Sequence, residues 1–254
     1  MVEILLGHEV VNPDKSDNDG KTPLSHAAWN GHEGVVKMLL EREEVNPDKP
    51  DNDGRTLLSY AAKKGREGVV EVLLGRLDVN PNKASNYGRT PLSYAAKKGR
   101  EGVVEILLGR QDVNPNKASN YGLTPLSYAA ENGHDGVVKI LLRREEVNPD
   151  KPDNDGWTPL SYAASGGHEG VVKILLGRHD VNPNKASNYG STPLLLAAQN
   201  GYDGVVKVLL GREEVIPDKP NNDGWTPLSF AASGSHERVI ELLKSHDAVT
   251  PRAT

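Results

Sequence analysis

A few short segments of the chain carry residue types that could bind a metal ion or a phosphate group. The segment 51–54 (Asp-Asn-Asp-Gly) resembles part of an EF-hand calcium loop, but Lys49 and Tyr60 occupy the loop positions where the first and last acidic ligands are required. The segment 20–22 (Gly-Lys-Thr) ends like a phosphate-binding loop, but Lys15 stands where the first glycine of that motif belongs. Since both motifs are incomplete, we expect no metal site and no phosphate-binding loop here.

Four histidines recur at one position of a repeated segment and could be taken for metal ligands: His32, His134, His168 and His236. Stacked repeats lie roughly 10 Å apart, which is too far for two such side chains to share a zinc ion easily. The chain has no cysteine, so thiolate ligands, thiol nucleophiles and disulfides are excluded. Catalysis needs a unique constellation in a pocket, whereas a periodic chain presents the same groups many times. We therefore expect no enzyme activity, no catalytic residue, no metal and no cofactor.

The elements that position these residues follow from an internal repeat. Thr-Pro-Leu, or its near match at Thr56, recurs every 34 residues from Thr22 to Thr226. A period between 20 and 50 residues is typical of a solenoid whose repeats pack only on their neighbours. Seven full copies are present, and Val2–Leu6 resembles the tail of an eighth. We therefore expect a monomeric fragment from the C-terminal part of a longer array.

Each copy predicts two short helices joined by a turn. In the fifth copy, Thr158 suits a helix N-cap and Pro159 suits the first helical position. Gly166 and Gly167 stop this helix, and a second apolar helix then runs to Gly177, which we expect to act as its C-cap. Neither helix reaches the roughly 12–15 residues at which an isolated helix becomes marginally stable. Each helix must therefore be stabilised by the neighbouring copies.

These residues carry a family resemblance that covers nearly the whole chain. The pattern G-x-T-P-L-x-x-A-A-x-x-G-H, followed by V-V-K-x-L-L and V-N, resembles an ankyrin repeat. The resemblance implies an all-α fold, an ankyrin-repeat α-solenoid of stacked helix-turn-helix units joined by hairpin loops. We expect a single domain over 1–254, with a partial repeat and first hairpin at 1–20. The full repeats are expected at about 21–54, 55–88, 89–122, 123–156, 157–190 and 191–224, and a C-terminal capping repeat at 225–254.

Composition adds few constraints on function. The net charge of −5 gives no general attraction to nucleic acid or to an anionic membrane. No apolar run approaches the roughly 20 residues that span a bilayer, and the N-terminal residues do not resemble a secretory signal. We therefore expect a cytoplasmic protein that does not bind membranes.

A small set of positions varies between otherwise near-identical repeats, and the resemblance implies that these positions line the concave groove with which ankyrin repeats bind proteins. Repeats 2 and 3 contribute mainly cations there, and the later repeats contribute aromatic and apolar side chains. We expect a protein or peptide partner whose acidic segment and apolar side chains bind the following residues: Arg55, Lys63, Lys64, Arg66, Tyr87, Arg89, Lys97, Lys98, Arg100, Tyr121, Leu123, Trp157, Tyr189, Tyr202 and Trp225. We expect Trp157 and Trp225 to be exposed, without a role in folding.

Several alternatives remain open. The repeats are similar to the ankyrin arrays of fungal NLR-like proteins with a NACHT-type domain, in which the array would be the recognition arm. The basic cluster of repeats 2 and 3 could instead bind nucleic acid or another polyanion. A structural or engineered consensus array would have no partner. We further expect the row at His26, Tyr60 and Phe230 to pack between repeats, and the lysines at Lys15, Lys49 and their equivalents to form a solvated, partly self-paired ladder.

Overall fold

The computed structural model describes residues 12–249 of the chain. The segment Val2–Leu6, in which we expect the tail of an eighth repeat, lies outside these residues. The chain divides between Pro125 and Leu126 into two compact units, called unit 1 and unit 2 below.

Each repeat contributes a first helix and a second helix, and residues 12–249 contain fourteen helices and no β-strand. The helices of unit 1 are α1 (Pro23–Asn30), α2 (Glu33–Leu40), α3 (Leu57–Lys64), α4 (Glu67–Leu74), α5 (Pro91–Lys97) and α6 (Glu101–Leu108). The next helix, α7 (Pro125–Glu131), begins at the boundary. Those that follow in unit 2 are α8 (Asp135–Leu142), α9 (Pro159–Ser165), α10 (Glu169–Leu176), α11 (Pro193–Gln199), α12 (Asp203–Leu210), α13 (Pro227–Ser233) and α14 (Glu237–Val249).

The first helices begin and end as the sequence predicts. The Thr56 side chain accepts a hydrogen bond from the Ser59 amide at 3.3 Å, which satisfies one of the free N–H groups of α3. Gly65 ends α3 at φ 75°, a left-handed conformation that glycine adopts without steric cost. The Ser59 hydroxyl lies 3.2 Å from the Thr56 hydroxyl, so this serine strengthens the cap of its own repeat.

The second helices end at the expected residue. Gly177 is the C-cap of α10, and its amide donates to the Lys173 carbonyl at 3.1 Å. Its φ of −70° is right-handed, so this cap does not need the conformational freedom of glycine. The terminal carbonyl of Leu176 accepts a hydrogen bond from the Arg212 guanidinium of the next repeat, 36 positions away.

The core of each unit lies between successive helices. In unit 1, α3 packs between α1 and α5, and in unit 2, α11 packs between α9 and α13. Ala61 and Ala62 of α3 have no exposed surface, as do Ala197 and Ala198 of α11. Small side chains at these positions let the helix backbones approach closely, while leucines and valines fill the space towards the second helices.

The hairpins are joined by bonds between equivalent residues of neighbouring repeats. The Asn86 amide donates to the Asp53 carbonyl at 2.8 Å, and its side chain donates to the Asn52 carbonyl at 3.0 Å. The Lys83 ammonium donates to the Asp48 carbonyl at 2.6 Å. The lysine ladder is therefore a row of half-buried ties at Lys49, Lys83, Lys185 and Lys219, so the expectation that it is solvated is wrong there. The expected partial self-pairing is confirmed, because Lys49 pairs with Asp14 and Lys185 pairs with Asp150.

In α4, α6, α10 and α12 one glycine packs against an acidic side chain of the preceding repeat. A Cβ atom at Gly102 would lie 2.1 Å from the Glu67 carboxylate, and one at Gly170 would lie 2.0 Å from the Asp135 carboxylate. Arg238 replaces this glycine in the last repeat, where it is exposed and pairs with Glu241 at 2.8 Å.

Candidate partner-binding surface

The hairpin tips are of two kinds. In the acidic tips, at 17–21, 51–55, 153–157 and 221–225, the first residue is Asp or Asn and the third is Asp. In the tyrosine tips, at 85–89, 119–123 and 187–191, the first residue is Ser and the third is Tyr. The kind of tip decides which side chain is presented to solvent.

In the acidic tips the first residue orders the whole turn. One oxygen of the buried Asp51 carboxylate accepts hydrogen bonds from the Asp53 and Arg55 amides at 2.9 and 2.7 Å. The other accepts from the Arg55 side chain at 2.8 Å and from the Tyr60 hydroxyl. Asp153 makes the same amide bonds and accepts from the Tyr162 hydroxyl. The tip is thereby joined to the first helix that follows it.

Burial and hydrogen bonding act in opposite directions on the Asp51 carboxyl. Burial disfavours its charged form, but the hydrogen bonds from Tyr60 and Arg55 outweigh this effect and hold its pKa below the usual value. Burial and the hydrogen bond to Asp51 both raise the pKa of Tyr60, so this hydroxyl stays protonated and donates. The pair is therefore a structural connection, and nothing in its geometry suggests acid–base catalysis.

The fifth residue of an acidic tip lies against a ring on the first helix. The Trp157 ring centroid is 5.2 Å from that of Tyr162, and the Trp225 centroid is 5.0 Å from that of Phe230. Trp157 is half-buried, which contradicts the expectation that it is exposed, whereas Trp225 is 42% exposed as expected. The ring planes are tilted by 45° and 34° in the two pairs, and aromatic contacts of this kind add stability. We therefore expect both tryptophans to contribute to folding, which the sequence did not predict.

The tyrosine tips present their third residue to solvent. Tyr87, Tyr121 and Tyr189 are 48%, 57% and 62% exposed. In the tip at 85–89, the Ser85 hydroxyl accepts a hydrogen bond from Tyr94 at 3.2 Å. Serine is thus the smaller counterpart of Asp51, and the third residue of the tip is exposed in an acidic tip as well, as Asp155 shows.

The residue after the turn glycine ties each repeat to the preceding one. Arg66 donates to the Trp29 carbonyl at 3.3 Å, Arg100 donates to the Lys63 carbonyl at 3.5 Å, and a His168 ring nitrogen lies 3.0 Å from the Glu131 carbonyl. The Tyr202 ring covers Gly167, whose added Cβ would lie 2.7 Å from it. Arg66, Arg100 and Tyr202 therefore have an inter-repeat role that the sequence reasoning missed. The sequence carries a signal for this role, because only His, Arg or Tyr occurs at this position of the repeats.

The cations of repeats 2 and 3 lie near one another in unit 1. Burial lowers the pKa of Lys63, and the positive charges of Arg55, Lys98, Lys64 and Arg89 lower it further. Arg55 is also paired with Asp51 at 2.8 Å and with Asp53 at 2.6 Å, so its charge is partly offset. We call Lys63, Lys64 and Lys98 the lysine cluster. Lys98 is exposed, whereas Lys63 and Lys64 are half-buried, as are Lys97 and Leu123, which were predicted for the same surface.

A cavity of about 280 Å³ lies beside the lysine cluster. Its lining consists of Lys21, Ser25, His26, Trp29, Arg55 and Tyr60. The Trp29 and Tyr60 rings meet edge to face with centroids 5.4 Å apart, so Tyr60 packs between repeats as expected. Trp29 was missing from the predicted site, although it is the only aromatic residue at a position that otherwise holds Lys, Glu, Ser or Gln.

The family model for ankyrin repeats (three copies) matches residues 1–51, 43–118, 111–187 and 177–252. The chain belongs to the ankyrin-repeat family. Ankyrin-repeat domains generally mediate protein–protein interactions, and the fold is known as a non-enzymatic interaction scaffold. A comparison with curated proteins found no significant match.

Solved ankyrin-repeat domains superpose on this one over most of its length. The human ASB11 ankyrin repeat domain is 25% identical with a TM-score of 0.78, and the match covers 92% of this chain and all of that one. The ankyrin repeat domain of Bcl-3, a member of the IkappaB protein family, is 26% identical with a TM-score of 0.73, over 89% of this chain and all of that one.

Within residues 12–249, no three His, Asp or Glu side chains converge in a way that could hold a metal ion. None of the helices there has the length and apolar character that crossing a bilayer requires.

Proposed function

We propose that this ankyrin-repeat protein is a non-catalytic scaffold that binds an acidic segment of a protein partner on unit 1. The observation that carries the proposal is the juxtaposition of the lysine cluster with exposed aromatic side chains on neighbouring repeats. The Asn120 amide donates to the Tyr87 carbonyl at 3.1 Å, so the tips that carry Tyr87 and Tyr121 are directly joined. Both tyrosines are about half exposed.

This combination suits a protein ligand. Aromatic side chains account for much of the energy of protein interfaces, because they bury a large area with few rotatable bonds. Lysines at the edge of such a patch attract acidic segments and increase the association rate. Tyr189 and Trp225 offer a further contact surface on unit 2, where Trp225 keeps part of its ring exposed.

A finer proposal concerns the biological context of the array. Near-identical repeats that differ mainly at exposed positions resemble the arrays of fungal NLR-like proteins, and by this resemblance the array serves as the recognition arm of such a sensor. Fusion of the array to a NACHT-type domain would test the idea, since a captured partner should then change the nucleotide hydrolysis of that domain, and unchanged hydrolysis would contradict it.

Nucleic acid is the second candidate, favoured by the same mixture of lysines and aromatic rings. Binding through phosphates weakens steeply with salt, because counterions are released from the polyanion. A fluorescent single strand and a duplex should show no retention at low salt if the partner is a protein. Strong retention with a steep salt dependence would favour nucleic acid instead.

The proposal is tested by capturing partners on the immobilised chain and comparing it with a Tyr87→Ser, Tyr121→Ser variant. We expect the double variant to fold normally and to lose at least thirtyfold in affinity for a captured protein, the effect of one strong interface residue. Leu77→Gln is the matched control, because Leu77 is fully exposed and Gln111 occupies its position in the next repeat. Equal binding by the double variant and the control would refute the proposal.

A further inference from the structure

The cavity between repeats 1 and 2 has the features of a subsite for one acidic side chain. We propose that it binds the carboxylate of a glutamate or aspartate in the partner. This inference rests on the proposed function and deepens it, since it assigns one ligand group to one set of residues. None of the six lining residues except Arg55 belongs to the site predicted from the sequence.

The apolar part of the cavity is a fixed aromatic corner. The Trp29 and Tyr60 rings meet at 76°, with their centroids 5.4 Å apart. Tyr60 is 3% exposed, and its hydroxyl is held by Asp51, so its ring cannot turn away. The methylene groups of a glutamate can pack against this corner. The contact is favourable because it removes apolar surface of the rings and of the methylene groups from water.

Hydrogen-bond donors lie in and beside the cavity. Lys21, in the lining, bonds to Asp19 at 2.7 Å, which uses one of its three donor hydrogens. Lys63 and Lys64 lie next to the lining, with their ammonium groups 5.6 and 3.9 Å from the Trp29 ring centroid. A ligand carboxylate entering the cavity would therefore meet the Lys21 ammonium inside it and two further ammonium groups at its edge.

The acidic residues around the cavity already have partners. Asp17 bonds to His26 at 3.0 Å and to the Lys21 amide at 2.9 Å, while Asp51 and Asp53 bind Arg55. A cationic ligand would need the face of Trp29, which the two lysines occupy. The charge pattern thus favours an anion over a cation.

The size of the cavity favours a single side chain. Its volume of about 280 Å³ lies near the lower limit of small-molecule sites, which range from roughly 300 to 1,000 Å³. It is also a local pocket on one repeat pair, whereas a nucleic-acid strand requires a groove that tracks several successive phosphates.

The test is a titration of the ¹⁵N-labelled chain with three blocked peptides, Ac-Gly-Glu-Gly-NH₂, its Gln counterpart and its phosphoserine counterpart. We expect saturable shifts of the Trp29 indole N–H with the Glu peptide and at least tenfold weaker binding of the Gln peptide. The pKa of Lys63 should rise on binding, because the ligand anion favours its charged form. Equal binding of Glu and Gln, or shifts confined to other regions, would overturn the proposal. A phosphoserine peptide that binds more than tenfold tighter than Glu would overturn the assignment to a carboxylate.

Two variants use residues that the chain itself tolerates at equivalent positions. Trp29→Ser copies Ser165, and Lys64→Asn copies Asn132. We expect each to weaken the Glu peptide at least fivefold, whereas Gln199→Ser, the matched change in unit 2, has no effect. If Trp29→Ser lowers stability, Lys64→Asn decides the outcome, since Lys64 is the last residue of α3 and is not among its buried residues. Unchanged binding by Lys64→Asn refutes the subsite.

Failure of the subsite can be told from failure of the proposed function. A captured partner that needs Tyr87 and Tyr121 but binds equally well to Lys64→Asn would refute the subsite alone. If the Tyr87→Ser, Tyr121→Ser variant binds the captured partner as well as the native chain does, while the Glu peptide still binds as expected, the proposed surface is refuted and the subsite is not.

Discussion

Replacement of Asp51 by alanine should destabilise unit 1 by about 3 kcal/mol. The Asp51 carboxylate accepts four hydrogen bonds, from two amides, the Arg55 side chain and the Tyr60 hydroxyl. Alanine leaves the Tyr60 hydroxyl buried without an acceptor, which costs about 1–3 kcal/mol. The amides of Asp53 and Arg55 are closer to solvent, so water replaces part of the hydrogen bonding that they lose. Their loss contributes about 1 kcal/mol to the destabilisation.

Asp51→Ser is the matched comparison, because Ser85 occupies the equivalent position and accepts from Tyr94 at 3.2 Å. It restores an acceptor for Tyr60, so we expect a loss of only about 1 kcal/mol. Urea unfolding followed by circular dichroism measures the global effect. Hydrogen exchange of the α3 amides measures the local effect on stability. This second measurement is needed because repeat arrays can unfold one part at a time.

A double-mutant cycle with Tyr60→Phe isolates the contribution of the hydroxyl. Phe230 shows that this ring is accepted at the equivalent position. In the Tyr60→Phe background, Asp51→Ala should cost about 1–2 kcal/mol less than in the native chain. The reasoning would be refuted if alanine and serine at position 51 were equivalent, or if the Tyr60→Phe background left the cost of alanine unchanged.

Three further predictions concern stability. Trp157→Ser should lower the free energy of unfolding by about 1–2 kcal/mol through loss of the stack on Tyr162, and a change below 0.3 kcal/mol in urea unfolding would contradict it. Asn86→Ala removes a side-chain hydrogen bond to the Asn52 carbonyl at 3.0 Å and should lower the free energy of unfolding by about 1 kcal/mol. Hydrogen exchange should increase at the two hairpin tips that this bond joins, and unaltered exchange would contradict the prediction. Because the pKa of Asp51 is lowered in the folded state, the stability that this carboxylate contributes is complete above the ordinary Asp pKa of about 4 and is lost as the pH falls through the pKa of the folded state. Asp51→Ser should therefore make the free energy of unfolding less sensitive to acid. Parallel curves of stability against pH for the variant and the native chain would exclude this linkage.

Much of the fold could be predicted because its signals are local. Thr56 caps α3 and Gly65 ends it through contacts within a few residues of the chain. The threonine recurs in all seven copies and the glycine in the first six. The roles of Arg66 and Arg212 could not be predicted in this way, because their acceptors lie 37 and 36 residues earlier. Periodicity aligns equivalent residues but does not show which of two neighbouring repeats a long side chain contacts.

The sequence by itself determined the repeat, the two helices of each copy, the family and the positions that vary. The tertiary structure decided which variable side chains are available to a partner. Trp157 and Tyr87 are both aromatic residues of hairpin tips, yet Trp157 lies on the Tyr162 ring while Tyr87 is half exposed. The physical reason is the position within the tip. The third residue, such as Tyr87 or Asp155, is exposed, whereas the fifth residue, such as Trp157, lies against a ring on the first helix that follows.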